Sequence, residues 1–578
     1  MLSKGVCSLD DNLKKDIRKI ALQNAVEHDG KTKDKVVLSK SLGTIPELKS
    51  NVKDAIPEIA SIVSQVNGMS IEEQKAEIQD NFPEILNVKE HVKEERVGLP
   101  PLEGAEQGKV VTRFTPAPNG YPHIGHAKAA IISEEYAKMY GGKLVLRFDD
   151  TNPEDTRLEY WAAIKVGLDW LGIKFDQEKN TSDDIELLYD KCVEMIKKNN
   201  AYVCTCKRDT ISKNRKEMVS CECSTGDVSK NEDRWKQMFD KYKPGEAIVR
   251  FRGDMESKNT VMRDPVLFRI NDARHPRLAE KYRVWPSYDF AVAVEDYTDG
   301  ITHALRSKEY ELRNELYHAI LDALDMQHPK MLEFSRLEFK GMPVSKRVLR
   351  PLIDEGKVSW YDDPRLPTLE ALRRRGITSE AIRKFTLSLS LTKADTLAPF
   401  DSLEAFNRKI VDENSIRLFM VKDPKTMKIS NLPNSTVELP NHPSNKMGTR
   451  KVTVEDSVFL SSEDLKDVQT GDQLRLMGLG NVKITSINSE ITAEFTGDDH
   501  DVNFMKLQWV SKKNAHELKI LIPQQLFVND KFNEESLEEI HVYTEPHYLE
   551  VKNDEEIQFV RFGYCRKDSS KQAIFTHK

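Results

Sequence analysis

"VVTRFTPAPNGYPHIGHAKAAIISEEYAKMYGGKLVLRF" occupies residues 110–148, and its reading decides the fold. VVTRF is a short apolar run suited to a strand, TPAPNGYP is a proline- and glycine-rich loop, and HIGHAKAAIISEEYAKMY has the make-up of a helix. Gly141 and Gly142 supply a stop, and KLVLRF reads as a second strand. Strand, loop, helix and strand within about forty residues form a βαβ crossover, which predicts a parallel sheet. His123 and His126 flank Gly125 where the loop becomes the helix. Metal binding is one reading, but zinc-binding histidines on a helix usually sit four apart beside a glutamate, whereas these are three apart without one. Two satisfied histidines at a helix start is another. Phosphate handling accounts for more: a helix N-terminus presents unpaired N–H groups and the positive end of the dipole, and imidazoles add donors there. Gly125 would let a nucleotide base lie against the backbone, while Pro116, Pro118 and Gly120 stiffen and turn the loop leading in.

The rest of the chain sets bounds. At 578 residues it is too long for one hydrophobic core. Its apolar fraction of 39%, its mean hydropathy of -0.57 and the lack of any run of about 18 apolar residues predict a soluble protein with no membrane span. The first residues have no continuous apolar stretch resembling a secretory signal, so a cytoplasmic chain is expected. Four of the seven cysteines fall in two C-x-C pairs, which is not a disulfide framework. A net charge of -7, from 87 basic and 94 acidic residues, neither advertises nor excludes a nucleic-acid partner, because a local basic face governs phosphate affinity.

Residues 1 to about 95 carry helical patterns: Leu13, Ile17, Ile20, Ala21 and Ala25 share one face, started by Asp10-Asp11 and stopped at Gly30. EERVGLPPLEGAEQGK reads as a linker. Residues 200–300 mix short strands and loops like an insertion, residues 326–425 are helical, and runs such as KVTVEDSVFL beyond about 430 predict an antiparallel β domain.

The segment RFTPAPNGYPHIGHAKAA resembles the H-I-G-H signature of class I aminoacyl-tRNA synthetases, and GMPVSKRVL (341–349) is similar to their K-M-S-K-S loop. The second match departs at Pro343, Val344 and Arg347 but keeps Ser345 and Lys346. LRFDDTNPEDT, SYDFAVAVEDYTDGITHALRSKEY, WYDDPRLPTLEALRRRGIT and EIHVYTEPHYLEVKNDEEIQFVRFGYC resemble the glutamyl/glutaminyl branch in its archaeal and eukaryotic form, so the likeness covers nearly the whole chain. The resemblance implies a multidomain α/β protein. Its expected parts are an N-terminal helical RNA-interacting region (1–95), a Rossmann-like parallel-sheet catalytic domain in two halves (106–200 and 285–345), an acceptor-binding insertion (201–284), a helical connecting domain (346–425) and an anticodon-binding β-barrel domain (426–578).

It also implies a reaction: ATP-dependent ligation of an amino acid to the 3′-terminal adenosine of tRNA through an adenylate. Activation is an in-line attack of a carboxylate on the α-phosphorus of ATP, for which positioning and charge stabilisation suffice. His123, Gly125 and His126 with Ser345 and Lys346 are the expected catalytic set, Lys346 riding on a mobile loop over the departing pyrophosphate. By resemblance Ala117, Pro118, Asn119, Ser307, Arg336, Leu337 and Val344 surround ATP, and Mg2+ is expected to accompany it. Arg113 would hold a substrate carboxylate, and Asp149 would accept from the α-ammonium helped by the Tyr288 hydroxyl. The residue that faces the substrate side chain in this family matches Arg306. A guanidinium forks a γ-carboxylate but lacks a counter-charge opposite an amide, so L-glutamate is the expected substrate and a glutaminyl enzyme the alternative. A non-catalytic tRNA-binding scaffold is a further alternative, against which the intact signatures weigh.

Cys204, Cys206, Cys221 and Cys223, two tight pairs, suit a structural zinc site, with four reduced thiols as the other reading; Cys192 and Cys565 sit in apolar runs that predict core packing. Trp509, Tyr543 and Tyr548 are candidate base stackers or core aromatics, and LRRRGI (372–377) is either a solvated helix end or a tRNA backbone contact. The expected partners are tRNA for glutamate and, in a non-discriminating enzyme, tRNA for glutamine; a monomer is expected.

Overall fold

Val111–Phe114 (β1) and Lys143–Phe148 (β2) run parallel, joined by the helix Ile124–Met139, as the crossover pattern predicts. The computed structural model describes residues 10–27, 30–45, 48, 52–82, 98–394, 396–433, 436–444, 447–488, 490–499, 501 and 503–578. The first part of the linker read from the sequence lies outside them, as do the first nine residues. The chain divides into two compact units, Met1–Val97 and Gly98–Lys578.

In the first unit the helices Asp11–Glu27, Asp34–Thr44, Val52–Gly68 and Ile71–Asn81 enclose a core containing Ile17, Ala21, Ala25, Ile59, Val63 and Ile78. The face read from the sequence is the buried one, with Leu13 and Ile20 at its margin. Gly30 sits at φ +82, where a glycine is the least strained residue. Ser70 caps the fourth helix in a reciprocal capping box with Glu73.

In the second unit, Gln177–Asn180 (β3) adds to β2 in parallel. On the other side of β1 lies His303–Ser307 (β8): the Thr302 N–H donates to the Val111 carbonyl at 3.0 Å, and β8 pairs in parallel with Lys330–Phe334 (β9). The strand order 3-2-1-8-9 reverses direction between β1 and β8, the place where open α/β sheets bind ligands beyond the strands' carboxyl ends. Both β1 and β8 end there. Gly142 is required by proximity: a Cβ on it would fall 1.9 Å from the Val110 carbonyl oxygen.

Between β3 and β8 the chain makes a four-stranded antiparallel sheet of Ala201–Cys204 (β4), Ile248–Phe251 (β5), Val266–Ile270 (β6) and Val284–Pro286 (β7). Cys192 is buried in the core beneath it. The region read as helical from 326 also holds strands: Leu337–Phe339 (β10) pairs in parallel with Thr396–Ala398 (β11). Its helices are Lys346–Asp354, Leu369–Arg374, Ser379–Ser388 and Phe400–Val411.

Strands then begin at Ile416, ahead of residue 426, and form two seven-stranded sheets among the described residues. The sheet made from Pro424–Ser430 through Val510–Ser511 is inserted between two strands of the other. Pairing is mixed rather than purely antiparallel: Ile416–Leu418 lies parallel to Glu556–Phe559. Trp509 and Tyr548 are buried, the indole N–H donating to the Met477 carbonyl at 3.0 Å and the Tyr548 hydroxyl to the Gln572 carbonyl at 2.7 Å, so neither is free to stack on a base. Tyr543 is half-buried, and Cys565 is fully inside the barrel core. The arginines of LRRRGI are engaged internally as well: Arg374 reaches Asp568 at 3.0 Å, and buried Arg375 pairs with Glu404 at 2.9 Å, leaving Arg373 exposed.

The β domain also holds the helix that begins at Lys346. Leu526 is buried in one cluster with Leu349, Leu352, Val358, Leu366 and Ala371. The Phe527 N–H donates to the Gly341 carbonyl at 3.0 Å, an approach so close that a Cβ on Gly341 would lie 2.5 Å from the Phe527 oxygen.

Candidate active site

A cleft of about 710 Å³ opens beyond the ends of β1 and β8. Arg113, Ala117, Asn119, His123, Gly125, His126, Asp149, Tyr288, Arg306, Ser307, Arg336, Leu337, Val344, Ser345 and Lys346 all line it. Pro118 does not; it is buried, and its carbonyl accepts from the Arg157 N–H at 3.2 Å.

The two histidines form a reciprocal cap. His123 is the N-cap of the helix, its Nδ1 accepting from the Gly125 N–H at 3.1 Å, and the His123 N–H donates to His126 Nδ1 at 3.2 Å. Because each Nδ1 accepts, each neutral ring carries its proton on Nε2. Burial pulls His126 down to about 4 and holds His123 well below the usual histidine range, so both are neutral donors near pH 7. A Cβ on Gly125 would lie 2.9 Å from His123 Cε1, so the glycine also makes room for the capping ring. The segment is clamped by Ile124 N–H to Pro367 O at 3.0 Å and Leu369 N–H to Pro122 O at 2.9 Å.

Ser345 and Lys346 do not both lie on a loop. Ser345 is the N-cap and Lys346 the first residue of the helix Lys346–Asp354. Lys346 Nζ lies 3.9 Å from Asp155, a long and exposed ion pair that constrains it little. Arg336 is tied to Glu309 at 2.9 Å and also pairs with Glu338. The Ser307 hydroxyl, at the end of β8, is buried with no hydrogen-bond partner among the described residues.

Arg113 arrives with most of its guanidinium committed: Nε donates to Asp296 at 3.2 Å and Nη1 to the Leu305 carbonyl at 2.5 Å. Asp296 also receives Arg147 Nη2 at 2.7 Å and the Tyr317 hydroxyl at 3.0 Å. Burial lifts the Asp149 carboxyl to about 7, against the pull of Arg147. Tyr288, expected beside the α-ammonium site, is bonded elsewhere: its hydroxyl accepts from Arg306 Nη2 at 3.4 Å.

Arg306 is 4% exposed. It lies over the rings of Tyr288, Tyr310 and Tyr317 at 5.7, 5.1 and 5.4 Å, donates from Nη1 to Asn314 Oδ1 at 3.2 Å, and leaves Nε without a partner. It makes no ion pair with any described carboxylate. A buried guanidinium in that condition is costly unless an anion completes it.

Sequence reasoning missed Lys128, whose Nζ donates to Ser335 O at 2.6 Å and Oγ at 3.0 Å from the wall of the cleft, and also Arg269, Tyr310 and Asn314. A lysine on the inward face of an alanine-rich helix was a readable signal for the first; the others depend on tertiary placement.

The four cysteines of the two C-x-C pairs converge. Cys204 Sγ lies 3.8 Å from Cys221 Sγ, Cys206 Sγ lies 3.8 Å from Cys223 Sγ, and all four sulfurs fall within 4.8 Å of one another. A tetrahedral ZnS4 centre with Zn–S of about 2.3 Å has S···S edges of about 3.8 Å, so two edges already match and the set reaches zinc by drawing in by no more than about 1 Å. The Thr205 N–H and Arg250 Nη1 approach Cys223 and Cys221 at 3.5 and 3.6 Å, as donors to thiolates would.

Residues 109–413 match the catalytic domain of tRNA synthetases class I (E and Q), and residues 415–498 and 506–568 match two anticodon-binding domains of the same group. The chain belongs to this family. A glutamate–tRNA ligase of Nitrosopumilus maritimus is 63% identical over 99% of this chain and 100% of its own length. Those of Cenarchaeum symbiosum and Thermococcus onnurineus are 56% and 40% identical, covering 97% and 98% of this chain and 98% and 100% of theirs. Among the described residues no helix is long and apolar enough to cross a membrane.

Proposed function

We propose that the protein joins L-glutamate to the 3′-terminal adenosine of tRNA, in an ATP-dependent reaction that passes through a glutamyl-adenylate. The observation that carries this reading is Arg306, buried and without a carboxylate partner, in the same cleft as the capped histidines and Lys346. The γ-carboxylate of glutamate supplies the missing anion; glutamine would leave the guanidinium uncompensated, an effective filter in a buried site. Tyr288, already accepting from Arg306, has its own O–H left to give to the same carboxylate.

The α-ammonium pairs with Asp149, and Arg113 offers its remaining Nη2 to a substrate carboxylate oxygen. That oxygen attacks the α-phosphorus and pyrophosphate leaves. The Nε2–H groups of His123 and His126 donate to the phosphates as charge develops, without carrying a full charge themselves, and Lys346 meets the departing pyrophosphate. A ribose hydroxyl of the bound tRNA then attacks the carbonyl of the adenylate and releases AMP. Mg2+ arrives with the ATP phosphates, which supply oxygen ligands for it. Cys204, Cys206, Cys221 and Cys223 hold a structural zinc that fastens β4 to the segment carrying the second pair. The protein works as a monomer in the cytoplasm.

Aminoacylation of a tRNA pool with labelled glutamate or glutamine tests the reading: glutamate is incorporated, and glutamine is not. Glutamine incorporation at comparable efficiency, or tRNA binding without charging, overturns it. Elemental analysis should return one zinc per chain, abolished by Cys204→Ser.

A further inference from the structure

Arg306 and Glu333 stand directly opposite each other in the β8–β9 register. Neighbouring strands are about 4.8 Å apart, well within reach of these two side chains. A salt bridge would be the ordinary outcome, and it would cancel the charge that the cleft presents. It does not form; Asn314 is bonded to both instead. Asn314 opens the helix Asn314–Ala323. Its Oδ1 accepts from Arg306 Nη1 at 3.2 Å while its Nδ2 donates to Glu333 Oε1 at 2.5 Å. The other Glu333 oxygen lies 2.5 Å from Lys393 Nζ, so the carboxylate has a cationic partner other than the guanidinium.

We propose that Asn314 is a positioning residue that sets amino-acid specificity by holding the Glu333 carboxylate off Arg306. The inference rests on the reading of Arg306 given above. A primary amide suits the task because it is neutral and offers an acceptor at one end and a donor at the other. It orients the guanidinium without neutralising it. Alanine would open the gap and let Glu333 swing onto Arg306; aspartate would put a carboxylate there at once. In either variant an incoming γ-carboxylate must compete with an internal one, which weakens glutamate binding and erodes the advantage over glutamine.

The test is steady-state aminoacylation by the full-length protein, with the KM for glutamate, the KM for ATP and the glutamate-to-glutamine ratio of kcat/KM as readouts. Losing one charge-assisted bond corresponds to a rise in glutamate KM of about ten- to hundredfold for Asn314→Ala, with the KM for ATP unchanged. Adding Glu333→Gln to Asn314→Ala removes the competing charge and should bring the glutamate KM back to the value of Glu333→Gln alone. A purely structural role for Asn314 would give no such rescue. A wild-type glutamate KM in Asn314→Ala, or a raised KM that persists in the double variant, overturns the inference. Should Asn314→Ala fail to fold, the isosteric Asn314→Asp serves at pH 8: a rise of at least about tenfold in glutamate KM is expected, and wild-type behaviour overturns the proposal. Arg306→Ala is run alongside. If it keeps wild-type glutamate kinetics, the reading of the cleft itself fails; if it loses them while the Asn314 pattern is absent, only the present inference fails.

Discussion

Arg147 on β2 and Arg306 on β8 are both buried arginines, 1% and 4% exposed, on strands that flank β1 from either side. Their surroundings are opposite. Arg147 meets Asp296 at 2.7 Å and Asp299 at 2.6 Å, within a network that Lys179 extends to Glu295 at 2.6 Å. Arg306 meets three aromatic rings, an amide and a hydroxyl, and no carboxylate. The same side chain at similar depth is thus a structural tie in one place and a receptor in the other. Burial does not separate them; the count of neighbouring anions does. Behind the cleft Arg147 is paired, and at the cleft wall Arg306 is left open.

Substitution can break that contrast, beginning where the effect is greatest. Arg306→Ala removes two charge-assisted bonds to the substrate, so kcat/KM for glutamate should fall by about 10²–10⁴-fold. Its thermal midpoint should fall by less than that of Arg147→Met, since the deleted charge had no carboxylate partner and the loss is one of packing. Arg147→Met should do the reverse, costing about 3–5 kcal/mol of stability in denaturant unfolding because the buried network loses one positive charge, Asp296 keeping Arg113 and Asp299 keeping Lys179. If the two variants lose activity and stability in the same proportion, the distinction is wrong. Lys346→Ala should slow charging by about tenfold to several hundredfold with little change in stability, because its pairing with Asp155 is long and exposed.

The smallest effect is a pH limb. The Asp149 carboxyl is lifted to about 7 by burial, so it is largely protonated at pH 6 and cannot receive an ammonium. On the acid side kcat/KM for glutamate should drop about tenfold per pH unit below that midpoint, and Asp149→Asn should be weak but flat. The linkage has a definite sign. Between the carboxyl value of the unfolded chain, about 4, and the raised folded value, the folded state holds a proton that the unfolded chain has released. Asp149 therefore subtracts stability as pH rises through that window, and Asp149→Asn should gain thermal stability relative to the parent across it. A midpoint that is equally pH-dependent in both proteins would sink this assignment.

The sheet direction, the crossover helix, the two histidines at its start and the convergence of the two C-x-C pairs were readable because each depends on residues close in sequence or on a fixed spacing. Arg306 was readable only through resemblance; nothing within THALRSKEY reports that three tyrosines surround it or that Glu333 is held away. Trp509 and Tyr548 look like any strand aromatics until register places them inward, and Arg374 and Arg375 look like surface charge until Asp568 and Glu404 arrive from elsewhere in the fold. Lys346 reads as a loop residue through its likeness to the K-M-S-K-S loop, whereas the helix starts immediately after Ser345. Local chemistry was legible, and partners distant along the chain were not.

The burial of Leu526 among Leu349, Leu352 and Leu366 has a practical corollary for anyone dividing this protein into pieces. A chain trimmed at residue 413, where the catalytic-domain match ends, would leave an oily socket open to water beneath the lysine-bearing helix and would strip Gly341 of its backbone partner. The recognition end and the chemical end do not come apart cleanly: the minimal catalytic fragment has to keep Leu526 and the paired strands Phe527–Val528 and Lys531–Phe532, however little of the tRNA it is asked to read.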